Sequence, residues 1–258
     1  MCRANPIALA HPIKDQDIDE KWNLMKKSIF GNPLHLSIAV ILLVWLQILI
    51  RNIFYVDTTL KLYQSIPKFL LIALVIGILY ILLVTLLLRL SREKYADIGF
   101  SGRKLLRQAE TGALFGLSIF ILHTFLITPL IDALLPKTAM QGIDPARLFH
   151  RLIYLPILLL LTSFKGGFSE ELWRIFVLTR FRRCWGKTGL VVALIAASAI
   201  FGIGHLYQGV GSMISVAIVG FLYSLVYLRK RMAWEAVAAH ATYDIIAIIL
   251  GFILYHGK

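Results

Sequence analysis

Acidic side chains are scarce in this chain: 14 Asp and Glu in 258 residues, against 27 Lys and Arg, with charged residues of both signs making up only 16%. Soluble domains carry about a quarter charged residues and about 45–50% apolar ones. Here the hydrophobic share is 59% and the mean hydropathy +0.77. Charge is missing altogether from residues 28–50, 69–88 and 111–131, and from the 41 residues of 188–228. A helix needs about 20 apolar residues to cross a hydrocarbon core about 30 Å thick, so the last run alone has room for two crossings. Soluble globular, fibrous and disordered classes are excluded. Cysteine is nearly absent too, and Cys2 and Cys184 are too few and too far apart for a disulfide framework or a thiolate metal site. Residues 1–27 lack the apolar core of a secretory signal and hold Asp15, Asp17, Asp19 and Glu20 instead, so the first span is expected to be retained as an anchor.

What remains reads as an all-α, polytopic membrane protein of about eight transmembrane helices. Residues 1–32 form a polar tail, and residues 33–149 hold the first spans, at about 33–53, 68–90 and 110–135. Between the second and third of these, 91–109 mixes basic with apolar side chains and reads as an interfacial segment. Residues 150–258 are read as a separate helical core. Within it an apolar run, 152–164, ends at Lys165-Gly166-Gly167; spans follow at about 188–207, 211–229 and 233–256. The net charge of +13 does not indicate a nucleic-acid partner. Its basic residues sit between spans, as in Arg89, Arg92 and Lys94 or Arg180, Arg182 and Arg183, where membrane orientation places them.

The first three spans read as plain hydrocarbon, and the unusual chemistry comes after residue 165. An Asp, Lys or Arg at bilayer depth costs about 2.5–3.5 kcal/mol on insertion scales, so such residues mark function by default. Glu170, Glu171, Arg174 and Asp244 are of this kind, with His205 and His240 as neutral companions. Ser169, following the glycine pair, is expected to cap a helix over 168–183 and to set both glutamates in its first turn. Glu170 and Arg174 are four apart and Glu171 and Arg174 three apart, so either carboxylate can meet the guanidinium. His240 and Asp244 again share a face. A carboxylate facing two histidines in a wet pocket can take a proton from water and turn it on a carbonyl carbon. Against this stands a bland reading in which Glu170–Arg174 is a structural ion pair. His35 and His123 are read as packing residues, and Trp173, Trp185 and Trp234 as interface anchors or packing.

The three clusters fall in a recognisable order: Glu170-Glu171-Leu172-Trp173-Arg174, then Phe201-Gly202-Ile203-Gly204-His205, then His240-Ala241-Thr242-Tyr243-Asp244. This resembles the CAAX prenyl endopeptidase and bacteriocin-processing group, also called the Abi family of intramembrane proteases, over roughly residues 150–250. The resemblance implies an all-helical fold with a conical cavity. It also implies a water held and activated by the first Glu and the histidines, a second Glu paired with Arg, and an Asn or Asp of the third motif at the oxyanion. Its substrates are prenylated C-terminal sequences or, in bacteria, peptides and small membrane proteins. Two features depart from the family. Only two residues separate Glu171 from Arg174 where three are usual, and the preferred alignment keeps Glu170 as the water-activating base. Asp244, where Asn also occurs, cannot donate to an oxyanion when ionised; it is either protonated or orients His240.

The sequence therefore predicts an intramembrane endopeptidase of a multi-pass protein in a bacterial cytoplasmic membrane. Its partners are a peptide or small membrane-protein substrate and the lipid bilayer. A catalytically silent membrane scaffold and a proton-coupled transporter are the competing readings. No cofactor is expected. Zinc could be held by His205, His240 and one Glu, but no HExxH pair is present, and Arg174 would repel a dication. Orientation is in tension. Counting 168–183 as a crossing brings the motifs together but sets the basic clusters 180–187 and 229–231 opposite 89–107. Counting it as re-entrant satisfies the charge rule and separates Glu170 from His205. Convergence of the motifs is given precedence.

Overall fold

The computed structural model describes residues 32–55, 65–135 and 152–256, and among these every regular element is helical. Helix α1 is Pro33–Phe54, capped by the Asn32 side chain, which accepts from the Leu34 amide. Helix α2 is Ile66–Leu90, and α3 is Leu105–Leu134, with a π-helical turn at His123–Ile127. The core contributes α4 (Leu155–Thr162), a π-helical segment (Ser163–Glu170), α5 (Glu171–Ile203), α6 (Val210–Lys230) and α7 (Ala233–His256). Among the described residues, six helices are long and apolar enough to cross a membrane, with Leu152–Ile203 counted as one. That longest one doubles back. Trp185 and Gly186 leave helical geometry, with Gly186 at φ +60°, and Gly189 then packs on the backbone of Phe181. Its limbs, 171–184 and 187–203, are thus two crossings, and the expected number of about eight is an approximate one. The chain is an integral, multi-pass membrane protein with leucine-rich faces turned outward, such as Leu43, Leu79, Leu82 and Leu114.

Two expectations are corrected. Gly166-Gly167 does not break the helix, and Ser169 does not cap one. Residues 155–184 run on as one helix through the π-helical segment, and the Ser169 hydroxyl donates to the Phe164 carbonyl five residues back. The glycines serve contact instead. A Cβ on Gly166 would collide with the Asp244 carboxylate, and one on Gly167 would come 2.7 Å from Ala241 Cβ. Bare backbone lets the π segment lie directly on α7.

The third span is not plain hydrocarbon either. Gly112 and Gly116, one α-helical turn apart, press against the Glu235 and Ala239 carbonyls, so α3 and α7 approach backbone to backbone. Small residues at this spacing are how helices pack closely where lipid supplies no hydrophobic drive.

The tension over orientation disappears with the continuous 152–184 helix. All three basic clusters lie at one end of the bundle. Glu93 forms ion pairs with Arg180 and Arg183, the Tyr227 hydroxyl donates to the Ile98 carbonyl at 3.1 Å, and the Ala233 amide donates to Gly99 at 3.1 Å. The clusters fall on opposite sides only if 152–164 and 168–183 are two crossings; as one helix they are a single crossing.

Below this basic end sits a dense core. Leu172, Ile175, Phe176, Val177 and Leu178 on α5 are fully buried, packed with Ile41 of α1, Val84 and Leu88 of α2 and Ala233 and Ala236 of α7. Every residue from Glu171 to Leu178 is buried, so this part of α5 is surrounded on all faces, which is why its sequence shows no amphipathic stripe.

Candidate active site

The π-helical segment sets the first part of the site. Its i→i+5 geometry stacks residues five apart, and Lys165 accordingly forms an ion pair with Glu170. One residue further, Glu171 is fully buried and forms an ion pair with Arg174. The guanidinium also lies over the Phe201 ring, 4.3 Å from its centroid, a cation–π contact at close range. The two adjacent glutamates therefore face different ways, Glu170 toward a cavity and Glu171 into protein.

His240 on α7 touches both. Its Nδ1 is 2.8 Å from Glu171 Oε1, and its Nε2 lies 3.9 Å from Glu170 Oε2 and 3.7 Å from Asp244 Oδ2. An ionised carboxylate only accepts, so Nδ1 carries a proton, and the neutral ring then offers Nε2 as acceptor. The ring is clamped by Tyr223, stacked at 4.4 Å between centroids, with Phe201 edge-on at 5.9 Å. The ring is thus held by Glu171 and Tyr223; Asp244 sits beyond hydrogen-bonding distance of it.

His205 follows the end of α5, where Gly202 packs on the Met213 carbonyl and Ala217 of α6. Its Nδ1 is 2.9 Å from the Phe201 carbonyl, which fixes the same tautomer, with Nε2 as the acceptor. Phe201 thus contacts both histidines and Arg174. The spacing Phe201-x-x-x-His205 is that of one helical turn, and its use is visible here.

Lys165, Glu170, Arg174, His205, His240 and Asp244 line one cavity of about 690 Å³, whereas Glu171 lies behind its wall. Trp45 of α1, Tyr80 of α2 and Trp173 of α5 form aromatic wall, the last two stacked at 5.4 Å. Arg51, in the last turn of α1, also lines it. Lys165 and Arg51 of this lining, and Tyr223 stacked on His240, carry no signal of their own in the sequence. Lys165 was visible only as part of a supposed break, Tyr223 as one aromatic in a span, and Arg51 as a span terminus. Among the described residues no three His, Cys, Asp or Glu are grouped to hold a metal ion.

With this geometry in place, comparison with known proteins is informative. Residues 152–246 match the family described as Type II CAAX prenyl endopeptidase Rce1-like. The likeness is to CAAX proteases. The matched segment begins at α4 and ends in α7, and holds all six residues singled out from the sequence. No curated protein and no solved structure matches the chain.

Proposed function

We propose that the protein is an intramembrane endopeptidase that hydrolyses a peptide bond of a membrane-associated substrate, with Glu170 as the base that activates water. The observation that carries this reading is the single cavity onto which Glu170, His205, His240 and Asp244 all open, inside a segment similar to CAAX proteases. In the proposed reaction the Glu170 carboxylate accepts a proton from a water held between it and His240 Nε2. The resulting hydroxide attacks the carbonyl carbon, and the C=O pair moves onto oxygen. Collapse of the tetrahedral species breaks the C–N bond, and Glu170 returns the proton to the leaving amine. The developing oxyanion needs a donor aimed at it. Lys165 supplies an ammonium in the same cavity, while ionised Asp244 has none to offer. Glu171 and Arg174 act through His240, holding its ring and tautomer.

The test is hydrolysis of a peptide or small membrane-protein substrate by detergent-purified variants. Glu170→Gln, His205→Ala and His240→Ala should each remove activity while the protein stays folded. Groups that act as one unit are strongly non-additive, so Glu170→Gln with His240→Ala should be little worse than either alone. Wild-type rates in all three single variants would overturn the proposal.

A further inference from the structure

The cavity reaches one end of the bundle, and the basic residues mark the other. Its lining includes Arg51 in the last turn of α1, Phe69 in the first turn of α2, and Tyr207 in the link between α5 and α6. All three belong to the ends of helices remote from the basic clusters. No residue of the links 91–104, 185–186 or 231–232 lines the cavity. Toward that end it is floored by the Tyr80–Trp173 stack and by Trp45, which packs on Phe181 at 5.6 Å. Below the floor come the fully buried residues of α5 and then the Glu93–Arg180 ion pair.

The charges at the two ends are unequal. Residues 89–107, 180–187 and 229–231 hold 13 Lys and Arg, and the structure joins them at one end. The stretches of sequence that join the opposite helix ends, 51–68 and 136–151, contain six. Short connections rich in Lys and Arg stay on the cytoplasmic side of a membrane. Neither fact alone says where the cavity leads; together they do.

Building on the proteolytic reading, we infer that the cavity opens on the extracytoplasmic side of the membrane and takes its substrate from there. The substrate class is then a membrane-inserted or exported polypeptide whose scissile bond reaches the bilayer from outside. A cytoplasmic C-terminal tail would meet the sealed, basic end. The apolar wall built by Val44, Ile48, Phe69, Ala73 and Ile76 suits an extended apolar stretch of such a chain.

The experiment is cysteine accessibility in intact cells expressing the full chain, in a background carrying Cys2→Ser and Cys184→Ser. Three single cysteines are introduced: Gln47→Cys in the cavity wall, Tyr55→Cys at the exposed end of α1 one turn beyond Arg51, and Gly102→Cys at the basic end, where a Cβ meets nothing within 4 Å. A membrane-impermeant maleimide should label the first two in intact cells and the third only after permeabilisation. Labelling after denaturation confirms that each protein is present, and a single detergent-solubilised species confirms that it is folded. Labelling of Gly102→Cys before permeabilisation, or of Tyr55→Cys only after it, would overturn the inference, as would labelling of both from outside. None of these readouts depends on catalysis, so a cytoplasmic mouth would leave the proteolytic reading standing. Conversely, inactive chemistry would leave the orientation standing.

Discussion

The Nδ1 of His240 lies 2.8 Å from Oε1 of Glu171, a contact between residues 69 positions apart that decides which histidine nitrogen is offered to the cavity. It also separates the roles of two adjacent carboxylates that have the same chemistry. Glu171 is fully buried and already engaged by Arg174; Glu170 opens on the cavity.

Substituting the two glutamates should therefore give opposite signatures. Glu170→Gln should lower turnover by about 10²–10⁴-fold, the usual worth of a positioned general base, with little change in thermal stability. Glu171→Ala strands the buried Arg174, which should cost about 3–5 kcal/mol of stability. Turnover would fall because the His240 ring is no longer held. Paired thermal-denaturation and rate measurements separate the two, and equal stability losses would contradict this division of roles.

Close approach of α3 to α7 should matter more than the flexibility of any link. Gly116→Val drives a side chain into the Ala239 carbonyl and Thr242, next to His240. Overpacking of this kind costs about 1–3 kcal/mol or more, and activity should fall with it. Gly186→Ala meets open space, but φ +60° with ψ −137° is a backbone conformation kept almost entirely for glycine, so a backbone cost of about 1–3 kcal/mol applies, and the site is untouched. Activity per folded molecule measured for both variants checks the contrast.

The basic end should be the acid-sensitive part of the fold. Burial would raise the Glu93 carboxyl above its ordinary value, but Arg180 and Arg183 outweigh it and hold it lower. A depressed carboxylate contributes stability that is complete above its unfolded value, and that contribution is lost as pH falls through its folded one. Wild type should thus exceed Glu93→Gln in stability at neutral pH, with the gap closing only in acid, below the ordinary carboxylate range. A gap that widened on acidification would refute the assignment.

Chelation offers a fourth check. Activity is expected to survive EDTA and phenanthroline, with no stoichiometric metal in the purified protein. Zinc at about one per chain, lost together with activity and restored by added zinc, would point to metal-assisted hydrolysis and would recast Glu170 as a ligand or a base beside one.

The span positions could be read from sequence because a charge-free run of sufficient length has few other uses than crossing a membrane. The same is true of the three motifs, whose i,i+3 and i,i+4 spacings are local geometry. What could not be read is whatever depends on which helix faces which. Gly166-Gly167 carries the composition of a break, and only its contact with Asp244 and Ala241 explains why glycine stands there. Lys165 looks solvated until a π-helical turn brings it over Glu170. Gly112 and Gly116 have no meaning until α7 is found against them. The tension over orientation has the same origin: an apolar run of 13 residues followed by a polar stretch does not resemble one helix.

That same π-helical segment makes the site sensitive to chain length. Each α-helical residue turns the chain by about 100°, so removing one residue within 163–170 would rotate everything on its N-terminal side relative to Glu170. Leu158 and Leu161, now in the cavity wall, would swing toward other neighbours, and Lys165 would lose its place above the carboxylate. Substitutions in this stretch can be absorbed by local adjustment; a single-residue deletion cannot. Insertions and deletions should therefore be tolerated far better in the links between helices than along these eight residues, although the segment is only the middle of a helix.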